Sequence, residues 1–151
     1  MTRRELRENV FLLLFRAEFH NPTDMKEQLS LFDEASETLK NTDPEETIKL
    51  LNDKDRTYIE HKVEDILSKI DLLDSAINEA ADGWKTSRMG KVDLTLIRLA
   101  VYEIKFEEEI PFKVSVNEAV ELAKHYGADN SASFVNGVLH KFEKESAESD
   151  E

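Results

Sequence analysis

Apolar residues recur along this chain at intervals of three and four, the period of an amphipathic helix, and no alternating run is long enough for a sheet. Between Ile110 and Phe142 the helical pattern is written twice. Val116, Ala119, Val120 and Ala123 form one stripe, and Phe134, Val135, Val138, Leu139 and Phe142 form the next, with Gly127, Ala128, Asp129 and Asn130 as a hinge between them. Ser115 followed three residues on by Glu118 has the spacing of a capping box, which predicts a helix beginning there. Gly127 is placed to stop that helix, and Asp129 or Asn130 to cap the second.

The same pattern extends over the rest of the chain. Thr2 and Glu5 make a capping box ahead of Leu6, Val10, Leu13, Leu14 and Ala17, with Phe11, Phe15 and Phe19 widening the face and Pro22 as the stop. A second helix is predicted after Thr23, carrying Met25, Leu29, Phe32 and Leu39. A short one follows, opened by Asp43, Pro44 and Glu46 and holding Ile48 and Leu51. Asn52 to Asp55 re-initiates the chain into its longest helical stretch, through Ile59, Val63, Ile66, Leu67, Ile70, Leu73, Ile77 and Ala80, with Asp71 and Asp74 marking a bend. Trp84 to Asp93 reads as a connector in which Trp84 is a core plug rather than a ligand platform. Asp93 is placed to cap a helix bearing Leu96, Ile97, Ala100, Val101 and Ile104, and Arg98 and Glu103 in or beside that stripe suit a structural ion pair or helix-face solvation. Residues 146–151 form an acidic, fraying tail.

Composition narrows the function classes. At 151 residues and 40% apolar content the chain suits one domain with its own core, and the absence of cysteine excludes disulfide scaffolds, thiol nucleophiles and cysteine-type zinc sites. The longest apolar run, Val10 to Phe15, is far short of a membrane span, and no signal-peptide core follows the charged start, so a soluble, unprocessed, cytoplasmic protein is expected. A net charge of −13 by itself argues against a nucleic-acid partner. Its distribution reverses that: residues 1–16 carry net +2, residues 17–82 net −11 and residues 83–151 net −4.

Arg3, Arg4 and Arg7 lie at i+3 and i+4 spacings on the first turns, so all three can share one face. A solvated helix start with arginines paired to Glu5 and Glu8 fits this pattern, and so does an anion site. Cations at a helix N-terminus oppose the macrodipole, a cost that an anionic partner offsets. No HExxH, GxSxG, P-loop or GxGxxG motif occurs. His61 with Asp65 is a metal-capable i+4 pair, more simply a surface feature, and the many carboxylates nominate no acid and base. No catalytic residue, metal site or cofactor is expected.

Three stretches together go beyond a generic helical domain: RRELRE at the N-terminus, WKTSRMGKVDLTLIRLAVYEI, and IPFKVSVNEAVELAKHYGADNSASFVNGVLHK. In that order and spacing the chain resembles the NusB family of bacterial transcription antitermination factors, over the first helix and from Trp84 to Lys141. The resemblance implies an all-α fold of two small helical bundles packed across each other, about seven helices within one domain over 1–145, the bundles spanning about 2–82 and 84–145. It implies a non-catalytic protein that pairs with NusE, a small-subunit ribosomal protein. The pair binds the boxA element of nascent single-stranded RNA, then joins other Nus factors on RNA polymerase to suppress premature termination during ribosomal RNA synthesis.

Carried onto this chain, the resemblance makes Arg3, Arg4 and Arg7 RNA-phosphate contacts and gives Phe15 either a base-stacking or a core role. It sets Asn130 and Phe134 near the RNA and Asp93 at the partner surface. Glu5 interrupts what is often a denser arginine run, which weakens unaided RNA binding, whereas Asn130 stands where an acid is frequent, which acts the other way. Related proteins occur as monomers and as homodimers. An adaptor that binds protein without RNA is the alternative; a ribosomal RNA methyltransferase, to which similar domains are fused, lacks a cofactor-binding portion here.

Overall fold

The Thr2–Glu5 box forms as its spacing requires. In the computed structural model the Glu5 N–H donates to Thr2 Oγ1 at 3.1 Å and the Thr2 N–H donates to Glu5 Oε1 at 3.2 Å, which opens helix α1, Arg3–Ala17. The structure describes residues 1–17, 52–81 and 83–143. Phe19, Pro22, the two helices expected between Thr23 and Leu51, and the tail at 146–151 lie outside them.

By packing the chain divides into two compact units, Met1–Leu67 and Ser68–Glu151. In the first, α1 buries Val10, Phe11, Leu13 and Leu14. Asn9, also buried, turns its Nδ2 to the Glu5 carbonyl at 2.9 Å. The Met1 amine sits 2.9 Å from Asp55 Oδ2 and ties the start of α1 to the first turn of α2, Asp53–Ser68. Asn52 caps α2, its Oδ1 accepting the Asp55 N–H at 2.8 Å, within the stretch expected to re-initiate the chain. Ile59, Val63 and Ile66 form its buried stripe. Lys62 is buried as well, its ammonium 5.6 Å from the centre of the Tyr58 ring.

The long helix predicted past Ile70 is interrupted at Lys69 (φ −112°, ψ 11°), and α3 runs from Ile70 to Ala80. Asp71 and Asp74 therefore mark no bend. Asp71 lies in the first turn of α3, where a carboxylate suits the macrodipole. Asp74 is occupied by Arg98, whose Nε and Nη2 donate to its two oxygens at 2.7 Å each. Arg98 thus takes part in a structural ion pair as expected, in a planar two-bond geometry, with Asp74 as its acceptor.

Helix α4, Lys91–Phe106, is the centre of the second unit. Its residues from Leu94 to Glu103 are buried except Arg98, and it packs against α3, α5 (Phe112–Tyr126) and α6 (Ser131–His140). A helix enclosed on most sides needs its few polar groups satisfied internally. Glu103, 0% exposed, accepts a hydrogen bond from Ser115 Oγ at 2.9 Å.

That bond overturns the capping box expected at Ser115. Helix α5 begins after Pro111, whose carbonyl accepts the Val114 and Ser115 N–H groups at 3.0 and 3.2 Å. Proline's fixed φ suits a helix start, and the Ser115 hydroxyl is directed inward to Glu103. Gly127 does end α5, yet with φ −95° it is not left-handed. Space is what it supplies: a Cβ there would lie 2.5 Å from both Ser131 Cβ and Oγ and 2.8 Å from the Ala123 carbonyl. Asn130 stands at the N-cap position of α6 without a side-chain cap bond, and the hinge is closed by the Ala128 N–H donating to Ser131 Oγ at 2.9 Å. Gly127→Ala should lower stability by about 1–3 kcal/mol, since neither a backbone carbonyl nor a buried Ser131 can yield cheaply. A thermal melt reads this as a fall of several degrees, and an unchanged midpoint would show that α5 and α6 can spread.

Six α-helices and one 3-10 turn occur among the described residues, with no strand, in agreement with the all-α expectation. No described helix is long and apolar enough to cross a membrane.

Candidate nucleic-acid interface

In the first unit, the capping box fixes where α1 starts and hence where its arginines project. Arg3 and Arg4 are exposed on its first turn, whereas Arg7 is buried, 9% exposed. The expectation that all three share one open face fails at Arg7. Glu5, which interrupts the arginine run, is occupied in the capping box, accepting the Thr2 N–H. Phe15 is half-buried on the same helix, its ring 6.1 Å from the buried Phe11 ring. It therefore contributes to the core edge while keeping part of its surface open.

The other residues singled out in the sequence belong to the second unit. Asp93 is not a cap: α4 starts at Lys91 with Gly90 in the N-cap position, leaving Asp93 in the first turn. Its Oδ1 is buried and accepts no hydrogen bond among the described residues. Asn130 is exposed at the start of α6, its carbonyl accepting a bond from Ser133 Oγ at 3.2 Å. Phe134, one turn on, is half-buried.

Phe134 meets a residue that the sequence pattern assigns to the core. Trp84 is instead 59% exposed and packs edge-to-face with Phe134, ring centres 5.4 Å apart and planes at 68°. The turn that sets it there uses Gly83, whose φ of +91° is unfavourable for a side chain. The Trp84 N–H then donates back to the Ala81 carbonyl at 2.9 Å. Asn78 Oδ1 accepts the Thr86 N–H at 2.7 Å and pins the connector to α3. Beside the two rings is a cavity of about 370 Å³ lined by Ala81, Trp84, Phe134, Gly137, Val138 and Lys141. Sequence reasoning reads Trp84 as core and does not single out Gly137 or Lys141, which line this cavity with it. The available signals are the chain's single tryptophan in a polar connector after glycine, and a glycine in mid-helix.

Among the described residues no group of three or more His, Asp or Glu side chains is arranged to hold a metal ion. The NusB family model matches residues 4–144. The chain belongs to the NusB family. A NusB transcription antitermination protein from Agathobacter rectalis is 54% identical over 142 residues, spanning 94% of this chain and 99% of that protein. The Thermotoga maritima NusB structure superposes with a TM-score of 0.78 at 32% identity, covering 96% of this chain and 92% of that one. A structure of the antitermination factors NusB and NusE in complex with double-stranded RNA matches with a TM-score of 0.70 at 26% identity, covering 94% and 96%. The span matched to the family runs from the arginine-bearing start of α1 through the Trp84 connector and α6.

Proposed function

We propose that this chain is an RNA-binding antitermination factor that pairs with NusE to bind boxA-type single-stranded RNA and suppress premature termination of ribosomal RNA transcription. It acts without catalysis, in the cytoplasm, within a larger assembly of Nus factors and RNA polymerase. The observation that carries this reading is the match, along nearly its whole length, to the NusB chain of a structure containing NusE and RNA. In this reading Arg3 and Arg4 contact RNA phosphates from the exposed first turn of α1, Arg7 supports that turn from its buried position, and Phe15 offers its open face to a base. Asn130 and Phe134 flank the RNA path on α6. Asp93, half-buried in the first turn of α4, offers its carboxylate to a donor of the basic partner.

Charge assigns the two proteins different tasks. A chain of net charge −13 repels phosphate at long range and attracts a basic protein. RNA affinity therefore arises from the joint surface, where two modest sites act on one strand. In gel shifts with boxA RNA, protein plus NusE should shift the RNA at concentrations at least about tenfold lower than protein alone. Equal shifts with and without NusE would remove the joint-surface reading. A complex with NusE that never retains RNA would leave a protein-only helical adaptor.

A further inference from the structure

The proposed function leaves the Trp84 cavity unused, and two independent features indicate that it is kept open. The first is the indole. Trp84 is the only tryptophan of the chain, and more than half its surface faces solvent, whereas a large aromatic side chain ordinarily gains by burial. Its edge-to-face contact with Phe134 fixes its orientation without covering it. The second is Gly137, in the middle of α6. Glycine inside a helix costs about 0.5–1 kcal/mol relative to alanine. No neighbour requires it, because a Cβ at Gly137 meets nothing within 4 Å. What the missing side chain preserves is the cavity that Gly137 lines.

We propose that this cavity seats one unpaired nucleobase of the bound RNA, an inference that rests on the RNA-binding reading above. Trp84 provides the stacking face and Phe134 holds the indole in place. Gly137 leaves room for the base, and Lys141 meets an adjoining phosphate. An aromatic platform with a nearby cation is the general means of holding single-stranded nucleic acid, since every base has a π-face and every nucleotide a charge. Apart from Lys141 and the small hydroxyl of Ser133, the walls are apolar or aromatic. Such a lining favours stacking over hydrogen-bonded base readout, so the seat should accept different bases.

The position of Trp84 gives the test its own optical signal. With NusE present and its emission measured separately against a Trp84→Phe preparation, single-stranded boxA RNA carrying an end label is titrated while label anisotropy and Trp84 emission are followed. Binding should quench Trp84 at least about twofold, as stacking on a base requires. Gly137→Leu, which fills the cavity from an open position, should keep or raise the melting temperature and weaken RNA binding by roughly 5–100-fold, the equivalent of one stacked base. Gly137→Ala should fall between. The proposal stands only if both the quenching and the Gly137 effect are seen. RNA bound with undiminished affinity by Gly137→Leu, or without change in Trp84 emission, overturns the base seat and leaves RNA binding intact. An emission change on adding NusE alone, with none on adding RNA, assigns the cavity to the protein partner and also overturns it. No RNA bound by the parent protein with NusE removes the RNA reading and this inference together.

Discussion

Replacing Arg3 and Arg4 together by alanine should weaken binding of the NusE-paired protein to boxA RNA by roughly a hundredfold at about 0.1 M salt. Two charge-assisted phosphate contacts, each worth about 1.4 kcal/mol or a factor of ten, account for that size. The salt dependence should change too. Removing one phosphate contact to a single strand flattens the slope by about 0.7 log units per log salt, hence about 1.4 for the pair. Both side chains are exposed on the first turn of α1, so melting should stay within about 2 °C of the parent. Arg7→Ala differs in kind, because Arg7 is buried: it removes packing and polar interactions from the core edge and lowers stability along with binding. Unchanged affinity and slope in the double variant would reduce the arginines to a solvated helix start.

The largest expected fall in stability comes from Asp74→Ala. Arg98 and Asp74 are paired through two 2.7 Å bonds, with their side chains 12% and 22% exposed, so solvent screens the pair weakly and the variant deprives Arg98 of its planar acceptor. Deleting Asp74 should cost about 2–4 kcal/mol, lowering the melting temperature by about 5–12 °C. Asp71→Ala, on the same helix but exposed, should cost less than about 1 kcal/mol. Adding Arg98→Met to Asp74→Ala should recover part of the stability, since it withdraws the guanidinium left behind. A double variant no better than the sum of its singles would show that the two residues act independently.

Where the sequence is legible, the controlling interaction is local. The Thr2–Glu5 box and the Asn52 cap each close within three residues; the box forms as its spacing predicts, and the cap opens the helix at the expected re-initiation. The helical stripes around Val10, Ile59, Leu96 and Val135 are buried as their period requires. Where a distant partner decides, the same local signs mislead. Ser115 has a helix-start spacing, but its hydroxyl is held by Glu103, twelve residues away on another helix. Asp74 resembles a helix breaker and is instead a salt-bridge partner of Arg98. Arg7 is chemically indistinguishable from Arg3 and Arg4 in the sequence, and only the fold separates a buried arginine from two exposed ones. Trp84 misleads for the opposite reason: composition favours burial of an indole, and its exposure depends on a turn through Gly83 that no periodicity encodes.

The hinge between α5 and α6 combines two kinds of position. Gly127 and Ser131 share a space too small for one more carbon, whereas Ala128, Asp129 and Asn130 between them are exposed. The crossing of the two helices is thereby a fixed frame, while the charge and hydrogen-bonding character of the three outer positions can change without touching it. An exchange of amide for acid at Asn130 would alter the surface offered to a ligand without disturbing the scaffold that presents it.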